Sequence, residues 1–280
     1  MQIAVASGKG GTGKTLLTSC LARVLADSKP RIIDADVEEP DTGLVLPHLA
    51  VNSQPVYRKV PSINSNRCNS CGICADICVF NALLVLSDKV LVFNELCHSC
   101  GACSYLCPEK AIVEIDHPIG EIESSRIRTG GSLVTGRLRI GEPLSPPLIK
   151  AAKKAGRTSA WNIVDCPPGT TCPMIESLRG ADYCLLVTEP TPFGAHDLNL
   201  SIEAARMLKI PSGIVINRWR GNDSPIDEIA RQNDVPVLAR IPFDQKLAAV
   251  YSRGENPLPQ VPGLEDIMTE IIEKIKERTS

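Results

Sequence analysis

A chain of 280 residues with 43% hydrophobic content is long enough to bury a substantial core, which excludes disorder as the default state. A formal net charge of −2 argues against a surface built throughout for nucleic acid or anionic lipid, and 4% aromatic residues are too few for single-strand stacking platforms. No apolar run is long enough to span a bilayer and the opening "MQIAVASGKGG" runs straight into a motif, so no signal peptide or membrane span is expected and the expected compartment is the cytoplasm.

The first element is "QIAVAS", a short apolar strand that runs into Gly8-Lys9-Gly10-Gly11-Thr12-Gly13-Lys14-Thr15, and "TLLTSCLARVLADS" then has helical periodicity. Strand, glycine-rich loop and helix in that order make a phosphate-binding loop. The glycines let backbone amides converge on phosphate oxygens, and the helix amino terminus adds a favourable dipole. Lys14 is expected on the β- and γ-phosphates and the Thr15 hydroxyl on Mg²⁺. Lys9 is a cation the ordinary pattern does not need; on its own it reads as a solvated loop lysine. "RIIDAD" is a buried strand ending in Asp34 and Asp36, of which Asp36 is expected to position the attacking water.

After residue 60 the pattern changes to short, cysteine-rich segments. Cys68, Cys71, Cys74 and Cys78 follow C-x₂-C-x₂-C-x₃-C, and Cys97, Cys100, Cys103 and Cys107 repeat it. Clustered cysteines in a reducing compartment read as metal ligands before disulfides. Zinc prefers two separate pairs, whereas triplets plus one are the two-cluster ferredoxin pattern, in which each fourth cysteine serves the other cluster. Cys68, Cys71, Cys74 and Cys107 are therefore expected to hold one [4Fe–4S] cluster, and Cys97, Cys100, Cys103 and Cys78 the second. Pro108 follows the second run; Val79 stands where the first would have proline.

"HPIGEIESSRIRTGGSLVTGRLRIGEP" alternates like a strand pair joined at Gly130-Gly131. Beyond it, "WNIVDCPPG", "ADYCLLVTEP", "SGIVINR" and "VPVLARIPF" read as buried strands separated by helical stretches, among them "SPIDEIARQND". The expected fold is α/β, a mostly parallel sheet with helices on both faces. Residues 1–59 and 117–280 then form one P-loop domain, and residues 60–116 are an inserted ferredoxin-like α+β domain. Asp165, at the end of "WNIVD", is placed as the acid that holds Mg²⁺ directly or through water. Asn217-Arg218-Trp219-Arg220 lacks the acid a guanine reader needs in the fourth place, so adenine is expected, with Asn217 a contact.

Cys20 and Cys184 read as core, and Cys166 and Cys172, both in "DCPPGTTC", read as buried core before Cys172 reads as a cluster or cargo ligand. The last helix, "GLEDIMTEIIEKIKERTS", has five acids against three bases, so packing on the sheet is expected rather than membrane binding. "KAAKKAGR" and the pairs Arg126/Arg128 and Arg137/Arg139 read as solvated charge before they read as a docking patch.

"KGGTGKT" resembles the deviant Walker A loop of the MinD/ParA group of P-loop ATPases, which includes the nitrogenase iron protein and iron–sulfur carrier ATPases. "DADVEEPD" is similar to its switch I, "DCPPG" to its switch II, and "INR" with "IPFD" to its adenine-binding segments. The resemblance implies a homodimer with ATP at the interface, in which Lys9 reaches the phosphates bound by the partner. Together with the insert it implies an ATP-hydrolysing protein that couples a nucleotide-dependent dimer to electron transfer through two [4Fe–4S] clusters, served by a redox or cluster-accepting protein. The alternative is an ATP-dependent assembly or carrier protein for iron–sulfur clusters or a metal cofactor. A ParA-like positioning switch on DNA or membrane, with redox sensing added, is a third reading, which the acidic balance and acidic last helix oppose.

Overall fold

The computed structural model describes residues 1–155, 159–221 and 225–279. Arg157 of the basic cluster and Ser224, at the expected start of a helix, lie outside them. In chain order the elements are β1 (Gln2–Ala6), α1 (Lys14–Val24), β2 (Arg31–Asp34), α2 (Thr42–Val45), β3 (His48–Ile63), α3 (Ile73–Asp76), β4 (Leu83–Val85), β5 (Val90–Val92), α4 (Ala102–Tyr105), β6 (Ile112–Ile127) and β7 (Ser132–Leu138). They continue as α5 (Pro146–Lys154), β8 (Asn162–Asp165), α6 (Cys172–Leu178), β9 (Tyr183–Thr188), α7 (Pro192–Met207), β10 (Ser212–Trp219), α8 (Pro225–Asn233), β11 (Val237–Pro242), α9 (Gln245–Ser252) and α10 (Leu264–Thr279).

Among the described residues the main sheet runs β11-β10-β9-β1-β8-β2-β7-β6-β3. The strands from β11 to β7 pair in parallel, while β6 pairs antiparallel with both β7 and β3. The α/β expectation holds, and the hairpin turns where it was read: Gly130 and Gly131 take φ of 119° and 89°, a region closed to most side chains. The parallel strands are apolar on both faces because helices cover both. Leu17, Leu21, Ile271 and Ile275 belong to the core under α1 and α10, and Leu148, Met174, Leu198 and Ile226 to that under α5 to α8. The last helix thus lies on the sheet with Leu264, Met268, Ile271, Ile272 and Ile275 buried. No described helix is long and apolar enough to cross a membrane.

β3 was not expected, and it decides where the cysteines go. β3 and β6 each span 16 residues, but β7 pairs only with Gly120–Arg126 of β6. The remainder projects as a two-stranded ribbon, Tyr57–Ile63 against Ile112–Pro118, and the cysteine runs are strung between its ends. There the described chain has two four-residue helices, a 3₁₀ turn at Asn94–Leu96 and the β4–β5 hairpin. Its own core is Val60, Ala82 and Cys97, with Cys78 packed against them.

Candidate functional site: a phosphate-loop cleft and two cysteine-lined hollows

Parallel strands deliver their last residues to one edge, and the side chains that matter lie there. The loop after β1 passes through Gly11 at φ 75° and Gly13 at φ 101° before α1 begins at Lys14. A side chain at Gly13 would also run into the Asn217 amide, and one at Gly8 would meet the backbone of Asp197 on α7. A cleft of about 410 Å³ opens over this loop. Gly10, Gly11, Gly13, Lys14 and Thr15 line it, with Asp36 and Asp41 on one side and Asn217, Phe243 and Tyr251 on the other. Gly8, Lys9 and Thr12 belong to the loop without lining the cleft, and Asp165, buried at the end of β8, does not line it either.

Asp34 and Asp165 are register partners on the adjacent parallel strands β2 and β8, so their carboxyls are buried side by side. Burial and mutual repulsion push the Asp34 carboxyl far above its ordinary range. Burial, opposed by Thr15 and Lys14, raises Asp165 to about 7. Thr42 Oγ1 donates to Asp165 Oδ2 at 3.0 Å, but the buried Asp165 Oδ1 has no partner. An orphaned, buried carboxylate oxygen beside a phosphate loop fits a Mg²⁺ shell. Asp34 is spoken for: it accepts from the backbone N–H of Asp36 and of Thr42, at 3.3 and 3.0 Å, and so folds the segment that presents Asp36 to the cleft. Asp36 is half-buried, and burial, only partly offset by Lys14, lifts it to about 6.

Asp41, the last residue of "DADVEEPD", and Thr42 after it have no role in the sequence reading. Thr15 Oγ1 donates to Asp41 Oδ1 at 3.0 Å, so the hydroxyl expected on Mg²⁺ is tied to this acid. Asn217 bridges β10 to the phosphate loop: its Nδ2 donates to Thr12 O at 2.8 Å and its Oδ1 accepts from Arg218 N–H at 2.9 Å. One Nδ2 hydrogen and one Oδ1 lone pair are left to face the cleft. Lys9 is turned toward Glu189 just past β9, with Nζ 3.4 Å from Oε2, and the same carboxylate takes Arg218 at 2.6 Å.

All twelve cysteine thiols are unbridged. Cys20, Cys166 and Cys184 are fully buried and burial pushes their thiols up, Cys20 and Cys184 to about 12. Cys172 corrects the expectation of burial: it is exposed at the first turn of α6, because Pro173 and the cap Thr171 leave that turn on the surface. The eight others line two hollows in the insert. Cys68, Cys71, Cys74 and Cys107 share one; Cys78, Cys97, Cys100 and Cys103 share the other. Gly72 and Gly101, at φ 88° and 74°, make the turn inside each run. Backbone N–H groups donate to sulfur at Cys78, Cys97 and Cys107, from Ala82, Ser99 and Ala111 at 3.3, 3.4 and 3.3 Å. No three described His, Cys, Asp or Glu side chains gather as they would around one metal ion.

The profile of the CobQ/CobB/MinD/ParA nucleotide-binding domain matches residues 3–258. The chain belongs to this family. It is 32% identical over 264 residues to protein MJ0579 of Methanocaldococcus jannaschii, covering 91% of each chain. A second protein of that organism, MJ0578, is 29% identical over 281 residues, covering 99% of this chain and 97% of its own. Among solved structures, the septum site-determining protein MinD of Pyrococcus horikoshii, complexed with Mg-ADP, superposes with a TM-score of 0.58 at 18% identity, covering 100% of this chain and 98% of that one. A plasmid partition protein of Borrelia burgdorferi bound to AMPPNP gives 0.58 at 14%, covering 99% and 98%. The matched family is a nucleotide-binding domain, and the glycine-rich loop, Lys14 and the acids that line the cleft have a composition suited to phosphate.

Proposed function

We propose that this chain is an ATPase in which a nucleotide-dependent homodimer controls iron–sulfur centres carried by the insert. The observation that carries the reading is the sorting of eight cysteines into two hollows, each with three thiols of one run and the fourth of the other. Spacing calls for that crossed set. Energetics favours it too: a segment whose core is three residues needs a staple, and no disulfide supplies one. The amide donors at Cys78, Cys97 and Cys107 suit sulfur that carries negative charge. Two [4Fe–4S] clusters bound there would supply one-electron storage.

In the cleft, Lys14 and the loop amides would bind the phosphates, Thr15 and Asp165 would hold Mg²⁺, and Asp36 would orient water toward the γ-phosphate. Lys9 would leave Glu189 to meet the phosphates of the partner subunit. The acceptor is a redox protein; handing over a cluster instead of an electron is the alternative use of the same parts. A positioning switch is favoured by a different observation, the resemblance in fold to proteins named for septum siting and plasmid partition. In that reading the eight sorted thiols would serve redox sensing alone. Anaerobically purified protein is expected to carry about eight irons per chain and to give an EPR signal on reduction. Zinc in place of iron, together with a salt-dependent shift of DNA, would select the switch.

A further inference from the structure

The two cysteine hollows are not equivalent in their attachment to the nucleotide cleft, and one ion pair makes the difference. Arg58, on the projecting part of β3, is 2% exposed and Glu142, between β7 and α5, 4%. Every guanidinium hydrogen is used. Nε and Nη2 grip the two Glu142 oxygens at 2.9 and 3.3 Å, Nη1 donates to Cys97 O at 2.9 Å and Ser99 Oγ at 3.4 Å, and Nη2 also donates to Asn94 O at 2.7 Å. The segment 94–99 that opens the second cysteine run is thereby bolted to Glu142.

Glu142 in turn belongs to a short stretch tied to the cleft. Its N–H donates to Arg139 O at 3.0 Å, Arg139 N–H donates to Ile119 O at 2.8 Å, and Leu138 N–H donates to Val37 O at 2.8 Å. Val37 follows Asp36, which lines the cleft. Among the described residues no buried ion pair joins the first run, whose local bonds stay within the segment, as from Asn69 to Glu109 and from Cys68 to Asn64.

We infer that the buried Arg58–Glu142 pair transmits the nucleotide state of the Asp36–Val37 segment to the second cysteine group, Cys78, Cys97, Cys100 and Cys103, and not to the first. For the clusters the inference rests on the iron–sulfur reading above; for the backbone it does not. Movement of Asp36 on ATP binding displaces Leu138 and Arg139, and Glu142 carries Arg58 with it. A buried guanidinium shifted against the Cys97 carbonyl changes both the local field and the freedom of the loop.

The test uses anaerobic full-length protein with and without MgATP, read by hydrogen exchange and by redox-poised EPR. Nucleotide is expected to slow exchange in 94–103 but not in 68–74, and to shift one of two cluster signals at least tenfold in its redox equilibrium, 59 mV for one electron. E142Q should abolish both changes while ATP affinity and iron content stay as in the wild type. Because removing one partner of a buried pair can unfold the site, the double variant R58M/E142M, which leaves no unpaired charge, is the second arm and should behave the same way. Equal nucleotide effects on both runs, or an undiminished effect in folded E142Q or R58M/E142M, would overturn the inference. Protein without iron would instead refute the iron–sulfur reading, and the exchange arm would still decide the coupling.

Discussion

At the residue scale, three buried or half-buried acids meet at the carboxyl ends of β2 and β8, and each has been pushed toward its protonated form by burial. For Asp36 the sign follows directly. The folded carboxyl, at about 6 against an ordinary 3.8, holds its proton over a window in which the unfolded chain has lost it, so its contribution to stability falls as pH rises from about 4 to about 6. A carboxylate holds Mg²⁺ in its ionised form, so magnesium-nucleotide affinity should rise as Asp165 ionises near pH 7, and hydrolysis should rise as Asp36, which would orient water, ionises near pH 6. Calorimetric titration and turnover across that range check this, and D36N should remove the lower-pH part of the rise in turnover. A pH-independent affinity in wild type would contradict the assignment. Lys14, Thr15 and Asp165 could be placed from sequence because each sits at a fixed offset in a motif. Asp41 and Thr42 could not, since their importance comes from a fold-back that Asp34 organises across eight residues. Glu189 was invisible for the same reason: its partner Lys9 is 180 residues away.

At the scale of elements, the apolar runs of the parallel strands were legible because burial on both faces leaves little else to write there. β3 was not. "HLAVNSQPVYRKVPSI" carries two prolines and several polar residues, and among the described residues its only strand partner is β6 at the sheet edge, where one side needs no hydrogen bonds. The cysteine segments showed their ligand pattern but not their mounting, which comes from β3 and β6 running past the sheet as a ribbon. The crossed sets give a sharp expectation for a single replacement. C78S removes a thiol that belongs to the first run by sequence and to the second hollow by position. It should cost the cluster shared with Cys97, Cys100 and Cys103, lowering iron from about eight to about four per chain while the EPR signal of the other cluster survives. Loss of the cluster beside Cys68 instead would refute the pairing.

For the whole molecule, the sheet places a nucleotide cleft at one edge and hangs a cysteine-rich module from the antiparallel end of the same sheet. The family assignment spans residues 3–258, and the reading of the cysteine-rich module rests on its own residues. Lys9 is the residue through which a second subunit would enter: held by Glu189 in one protomer, it would be released to phosphates across an interface. K9A should therefore keep ATP binding and lose ATP-dependent dimerisation in size-exclusion runs, with an unchanged dimer refuting that role. The central claim is that nucleotide controls the redox state of the insert, and the most direct measurement follows cluster oxidation and bound iron together in reduced, anaerobic protein mixed with an acceptor. The account predicts that MgATP speeds electron loss with iron content unchanged, and that K9A does not respond. Electron loss at the same rate with and without MgATP would contradict it, and iron leaving with the electrons would assign the protein to cluster delivery instead.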